Sequence, residues 1–153
     1  MLNFNHAETF VKFRKQMQEI PEDKKVYARN ALQNLPLARL LGMELVDLRI
    51  GEADIKIEMH DDLRQVHGVL HGGVTATLMD TAMAFAMRTM IGPTEPTATV
   101  DLTVHYLRPH FEGTAICTAK VVKPGKRFFN VSAEVVNEEG KLIATGISTY
   151  TKI

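Results

Sequence analysis

Asp80 lies in the middle of an apolar run, Val74-Thr75-Ala76-Thr77-Leu78-Met79-Asp80-Thr81-Ala82-Met83. A carboxylate in such surroundings is costly unless it is paired, solvated or used. If used, it is a general base or a nucleophile whose pKa burial can tune. If not, it is a carboxylate satisfied by a neighbouring hydroxyl such as Thr81. Eight residues earlier the same run is preceded by His71-Gly72-Gly73. Glycines at a helix start leave backbone N–H groups free, and the positive helix end favours an anion or a developing oxyanion there. The alternative is that the glycines only permit a sharp turn and close packing. The helical rise of 1.5 Å per residue sets Asp80 about 12 Å along the axis from Gly72. Both groups therefore serve one site only if two copies pair with their helices antiparallel, each copy giving one half.

Other polar residues carry weaker signals. Gln65 lies in a polar loop seven residues before Gly72 and reads, on its own, as an ordinary loop amide. His67 and His71 have a metal-like spacing but no third ligand, so no metal is expected, and His71 reads as a hydrogen-bonding group that fixes the loop. Lys123, Lys126 and Arg127 form a basic turn around Pro124-Gly125, and Arg108 ends a neighbouring strand. Such residues are either solvated or contact phosphates. There is no G-x-S-x-G elbow, phosphate-binding glycine loop or dinucleotide fingerprint.

The elements that must hold these groups follow from periodicity. Asn5 and Glu8 form a capping-box pattern ahead of Phe10, Phe13, Met17 and Ile20 at helical spacing. Pro21 suits the first turn of a second helix, with Glu22 and Asp23 complementing its dipole, and Pro36 interrupts it. Residues 1–41 thus read as a helical extension. Strands are expected at Met43–Ile50 and Glu52–Met59 around Gly51, and at Thr97–Leu107, Thr114–Val122, Arg127–Asn137 and Lys141–Thr151. The helix of about 73–90 between them is apolar on nearly every side, so other structure must enclose it. The economical answer is an α+β hotdog arrangement, an antiparallel sheet of about six strands wrapped around one long central helix, in a single domain over 1–153 with its core at 42–153. One sheet covers only part of that helix, and the uncovered apolar face predicts a symmetric dimer.

Composition narrows the function. The 153 residues carry 18 Lys+Arg and 18 Asp+Glu, so there is no electrostatic case for a nucleic-acid partner. Residues 1–40 hold seven Lys/Arg against four Asp/Glu, a mild basic excess that suits a solvated helix face. The single cysteine, Cys117, excludes an intrachain disulfide framework and sits in a strand alternation as a small core residue. No signal-peptide pattern is visible, and the one membrane-length stretch, Gly73–Ile91, contains Asp80, Arg88 and several threonines. A soluble, cytoplasmic protein without membrane partners is expected.

Gln65…His71-Gly72-Gly73…Asp80, followed by Thr99-Val100-Asp101-Leu102, resembles the hotdog-fold acyl-CoA thioesterases of the phenylacetate-degradation (PaaI-like) type over about residues 40–153. The resemblance implies hydrolysis of acyl-CoA to the free acid and coenzyme A, without a cofactor, since coenzyme A is part of the substrate. It implies that Gly72 donates its N–H to the thioester carbonyl, that Gln65 orients the carbonyl or the water, and that Asp80 activates water or attacks directly. Thr99 falls near a hydroxyl residue that positions water in some members, with an offset of one residue open. Where some relatives carry Thr or Ser one turn after the acid, this chain has Ala84. Family members are typically homotetramers, dimers of hotdog dimers. Substrate contacts are expected at His71, Gly73, Val69, Met83 and Thr99, with the acyl group along the Met79–Met83 helix wall and the coenzyme A phosphates on Arg108, Lys126 and Arg127. Two other functions fit the same fold: an acyl-CoA or fatty-acyl binding module, which needs no carboxylate, and an enoyl-CoA hydratase pairing His71 with Asp80, against which the HGG spacing argues.

Overall fold

The computed structural model describes residues 19–153. Most of the amphipathic helix expected from Phe10 to Ile20 therefore lies outside the described residues. Its last residues are not helical, because Glu19 forms an isolated β-bridge with Arg49. Pro21 then takes the N-cap of helix α1 (Glu22–Asn34), one position earlier than expected, and its carbonyl accepts the Lys24 and Lys25 N–H groups. Proline at position 36 disfavours the helical conformation for Leu35, which is extended at ψ 117°, so α1 stops and a short helix α2 (Pro36–Leu40) restarts from the proline.

The strands are β1 (Glu44–Arg49), β2 (Glu52–Glu58), β3 (Thr97–Tyr106), β4 (Thr114–Pro124), β5 (Phe128–Asn137) and β6 (Leu142–Lys152). They form one antiparallel sheet in the order β1-β2-β4-β5-β6-β3. Helix α3 (Gly72–Ile91) enters between β2 and β3 and packs against one face of that sheet. This is the hotdog fold expected from the pattern of elements.

Alternation decides which face is buried. In β2, Ala53, Ile55 and Ile57 are buried while Glu52, Asp54 and Lys56 point the other way. The facing stripe of α3 is Thr75, Leu78, Met79, Ala82, Met83, Ala86 and Met87, at helical spacing and buried throughout. Ala115, Cys117, Ala119 and Ala133 in the sheet centre are small, which leaves room for the three methionines to fill the layer between them. Cys117 is buried there, as its alternation predicts, and burial, with the Asp54 charge a lesser cause, pushes its thiol pKa far above the ordinary value.

The second face of α3 is not covered by the sheet. Helix α1 packs on β1 beside it, tied down by an ionic cluster. Lys25 Nζ is 2.6 Å from Asp47, and Arg49 bridges Asp47, Glu52 and Asp54 at 2.7, 3.0 and 2.9 Å. The two sheet edges differ. The Glu19 bridge occupies part of β1, whereas no described segment pairs with the outer side of β3. The apolar alternation expected in β3 is only half realised. Leu102 and Val104 are half-buried, but Val100 and Tyr106, toward the two ends of this ten-residue edge strand, are 55% and 56% exposed.

Candidate active site

The loop that leads to the helix is held by its own hydrogen bonds. Leu63 and Leu70 are buried beneath it. The Arg64 guanidinium donates to the carbonyls of Gly68 and Phe111, at 2.7 and 2.6 Å, and pairs with Asp61 and Glu112. Inside this clamp the Gln65 N–H donates to Val69 and the Gly68 N–H to Gln65, closing a tight turn. The Gln65 side-chain oxygen accepts the His67 N–H at 2.7 Å, which fixes the amide and leaves its NH₂ without a partner among the described residues. Val69 is half-buried in the same turn.

At the helix start the structure separates two glycines that sequence reasoning treats together. His71 is the N-cap, and its Nδ1 accepts the Gly73 N–H at 2.9 Å. The Gly73 donor is therefore used, and of the two candidate N–H groups only that of Gly72 is unpaired among the described residues. Close packing also holds. A Cβ on Gly73 would sit 3.0 Å from His71 Nδ1, and one on Gly72 would sit 3.3 Å from the Tyr106 ring. Tyr106 seals the far side, its hydroxyl donating to the Gly72 carbonyl at 2.9 Å.

Two turns along α3, Asp80 is half-buried. Its Oδ1 accepts two hydroxyls, Thr99 Oγ1 at 2.9 Å and Tyr150 at 2.8 Å. Thr81, the next residue, makes no hydrogen bond to the carboxylate. Tyr150 reaches the Asp80 backbone carbonyl as well, also at 2.8 Å. Its ring is buried, and burial, followed by the nearby Asp80 charge, raises its pKa well above the ordinary tyrosine range, so it stays a protonated donor. Tyr150 is not among the residues expected from the sequence to form the site. The available signal was a tyrosine on the core face of the last strand, whose hydroxyl must find a partner when buried. Which partner it finds depends on strand pairing. Thr99 faces Tyr150, which faces Phe129, across β3, β6 and β5.

One expectation about substrate contacts needs correction. Met83, like Met79, is fully buried on the stripe that faces the sheet and is part of the core. The stripe beside it, carrying Asp80, Thr81, Ala84, Phe85 and Arg88, lines the open groove instead. A helix turns 100° per residue, and the boundary between the two stripes falls between Met83, which is buried against the sheet, and Ala84, which lines the groove. The basic residues do not meet within one chain. Arg108 follows the Tyr106 end of β3. Lys126 and Arg127 precede Phe128, whose register through Thr151 leads to Ala98 at the other end of that strand. About eight strand residues between the two ends span roughly 27 Å. Among the described residues no group of three or more His, Cys, Asp or Glu is placed to hold a metal ion, and no helix is long and apolar enough to cross a membrane.

A long helix packed on one face of a six-stranded antiparallel sheet is the hotdog fold, and similarity to known proteins gives the family. The thioesterase superfamily model matches residues 67–144. Human acyl-coenzyme A thioesterase 13 is 36% identical over 115 residues, 72% of this chain and 81% of that protein. Acyl-coenzyme A thioesterase PaaI of Escherichia coli is 30% identical over 114 residues, 73% of this chain and 79% of that protein. Among solved structures, that of E. coli PaaI superposes with a TM-score of 0.76 at 28% identity, covering 82% of this chain and 90% of that one. The conserved protein PA5202 of Pseudomonas aeruginosa gives 0.77 at 31% identity, with 80% and 98% covered. The chain belongs to the thioesterase superfamily.

Proposed function

We propose that this thioesterase hydrolyses acyl-CoA at a composite site, in which Gly72 and Gln65 of one copy face Asp80, Thr99 and Tyr150 of a second. The observation that carries the reading is the opposed placement along β3: Tyr106 meets Gly72 near one end, and Thr99 meets Asp80 near the other. The Gly72 N–H and the Asp80 carboxylate thus lie near opposite ends of β3. Antiparallel pairing of two β3 edges about their midpoint brings the Thr99 end of one copy to the Tyr106 end of the other. The open edge and its exposed Val100 and Tyr106 favour that pairing, since an unpaired strand edge is a template for another. The same pairing brings Arg108 of one copy toward Lys126 and Arg127 of the other, which suits the phosphates of coenzyme A.

In this arrangement the thioester carbonyl oxygen accepts the Gly72 N–H at the positive end of α3, where negative charge develops as the carbonyl becomes tetrahedral. The Gln65 amide orients the carbonyl or the water. Asp80, its Oδ1 held by two hydroxyls, either takes a proton from a water whose oxygen attacks the carbonyl carbon, or attacks that carbon through Oδ2 to form a mixed anhydride that water then hydrolyses. In both cases the C–S bond breaks, coenzyme A leaves as the thiolate and takes up a proton, and the free acid is released. No metal enters these steps.

Gly72→Pro removes the N–H, and Gly72→Ala is its control, because either variant adds a Cβ 3.3 Å from the Tyr106 ring. Proline is accepted at the first helical position, and His71 is already extended at φ −62° and ψ 131°, as a residue before proline prefers. In Gly72→Pro, kcat should fall about 10²–10³-fold relative to the Gly72→Ala control. Asp80→Asn should abolish thiol release by orders of magnitude while folding persists. Co-expressed, the two inactive chains should regain activity, because the mixed dimer contains one site with both groups intact. Absence of regain in a purified mixed dimer would refute the composite site. Wild-type turnover in Asp80→Asn would refute the role of the acid.

A further inference from the structure

Among the described residues, the face of α3 that the sheet leaves free and helix α1 border a groove of about 880 Å³ whose lining includes Asp80. The lining includes Asp80, Thr81, Ala84, Phe85 and Arg88 from α3, Tyr27, Ala28 and Ala31 from α1 with its C-cap Leu35, and Leu48 of β1 with Ile50 just after that strand. From Asp80 to Gly92, which closes the lining, the helix advances about 18 Å. The middle of this path is apolar, and polar groups lie at its ends.

From this we infer that α1 is the second wall of the acyl-binding subsite, and that the acyl chain of the substrate runs from the carbon facing Asp80 along Ala84 and Phe85 beneath Ala31 and Leu35. The inference rests on the thioesterase reading for the position of the reacting carbon. Three observations support an aliphatic occupant of several carbons. The groove is continuous with the carboxylate that the chemistry uses. Ala31 and Ala84, on the two sides, carry side chains that end at Cβ. The wall is anchored, since Lys25 on α1 is held to Asp47 at 2.6 Å and Arg49 ties Asp47 to the sheet, so α1 can present a fixed surface. This assigns the helical extension a task in selecting substrate length, with Ala31 and Ala84 setting the bore and Tyr27 and Leu35 its outer lip.

The test uses the full chain and hydrolytically inert S-alkyl thioethers of coenzyme A, with affinity read by calorimetry, so it does not depend on turnover. For the wild type, affinity should tighten up to about fourfold for each methylene that remains inside the groove, then level off. Ala31→Phe places a ring in the groove from the α1 side. It should leave S-butyl-CoA affinity within twofold and weaken S-decyl-CoA binding tenfold or more. Ala31→Leu is the milder version, with a smaller loss in the same direction, should the larger side chain perturb folding. Equal chain-length profiles in wild type and both variants would overturn the inference, as would a wild-type affinity indifferent to chain length. The first result would place the alkyl chain elsewhere, and the second would leave the groove to a protein segment or a second copy. Thiol release from acyl-CoA, assayed separately, reports on the thioesterase reading alone.

Discussion

Tyr150→Phe isolates one hydroxyl at the proposed acid. The ring is buried in the core, so phenylalanine keeps the packing and removes only the donor that lies 2.8 Å from Asp80 Oδ1 and 2.8 Å from the Asp80 carbonyl. A hydrogen bond to a charged group is worth about 1.5–3 kcal/mol. Thr99 remains on the same oxygen at 2.9 Å and retains part of the alignment, so the lower half of that range applies. A loss of about 1.5–2 kcal/mol in the transition state is a fall in kcat of roughly 10–30-fold. KM should change little, because Tyr150 lies behind the carboxylate and not in the path of the substrate. Thr99→Val should act similarly, and the double variant should cost less than the sum of the two, because both hydroxyls position one oxygen. The phenol stays protonated, so ionisation of Tyr150 itself adds no pH dependence to the comparison below about pH 10. The assay is steady-state thiol release with calorimetric melting as a folding control. An unchanged kcat in a folded Tyr150→Phe protein would refute the positioning argument, and a strict sum in the double variant would refute the shared target.

Other consequences follow from the same geometry. Met83→Ala should cost about 2–5 kcal/mol in denaturant unfolding, because it opens a cavity in the core, while kcat per folded molecule stays near wild type. His71→Ala removes the N-cap acceptor of Gly73 and should cost about 0.5–2 kcal/mol, read in the same way. Partial burial raises the Asp47 and Glu52 carboxyls, but hydrogen bonds and charge from Lys25 and Arg49, and from Lys120 and Arg49, outweigh it and leave both pKa values lowered. A lowered carboxyl pKa contributes stability above the unfolded value, and that contribution is lost as pH falls through the folded value. The α1–β1 clamp should therefore loosen below about pH 4, visible as earlier exchange of α1 amides.

How far sequence reasoning reaches is seen by comparing residues within the central helix. The helix itself, its glycine start and the alternating strands were legible, because they depend on local spacing of 3.6 and 2 and on punctuation by glycine and proline. The approximately 12 Å between Gly72 and Asp80 was legible too, since a helix has a fixed rise. Met83 and Ala84 were not told apart. In a helix apolar on nearly every side, periodicity does not say which stripe the sheet takes and which is left for the groove. That depends on how the helix rolls on the strands, decided by small residues such as Ala115, Cys117 and Ala133 admitting the methionines.

The partners of Asp80 belong to the same second group. They lie 19 and 70 residues away in sequence and reach one carboxylate oxygen only because β3 pairs with β6 in a particular register. The residue types and their positions along each element were set by the sequence alone. Which donor at the helix start is left unpaired, which hydroxyls hold the acid, and which face of the helix opens toward α1 were decided by the tertiary structure, because hydrogen bonds and packing between distant segments depend on register and on rotation about the helix axis.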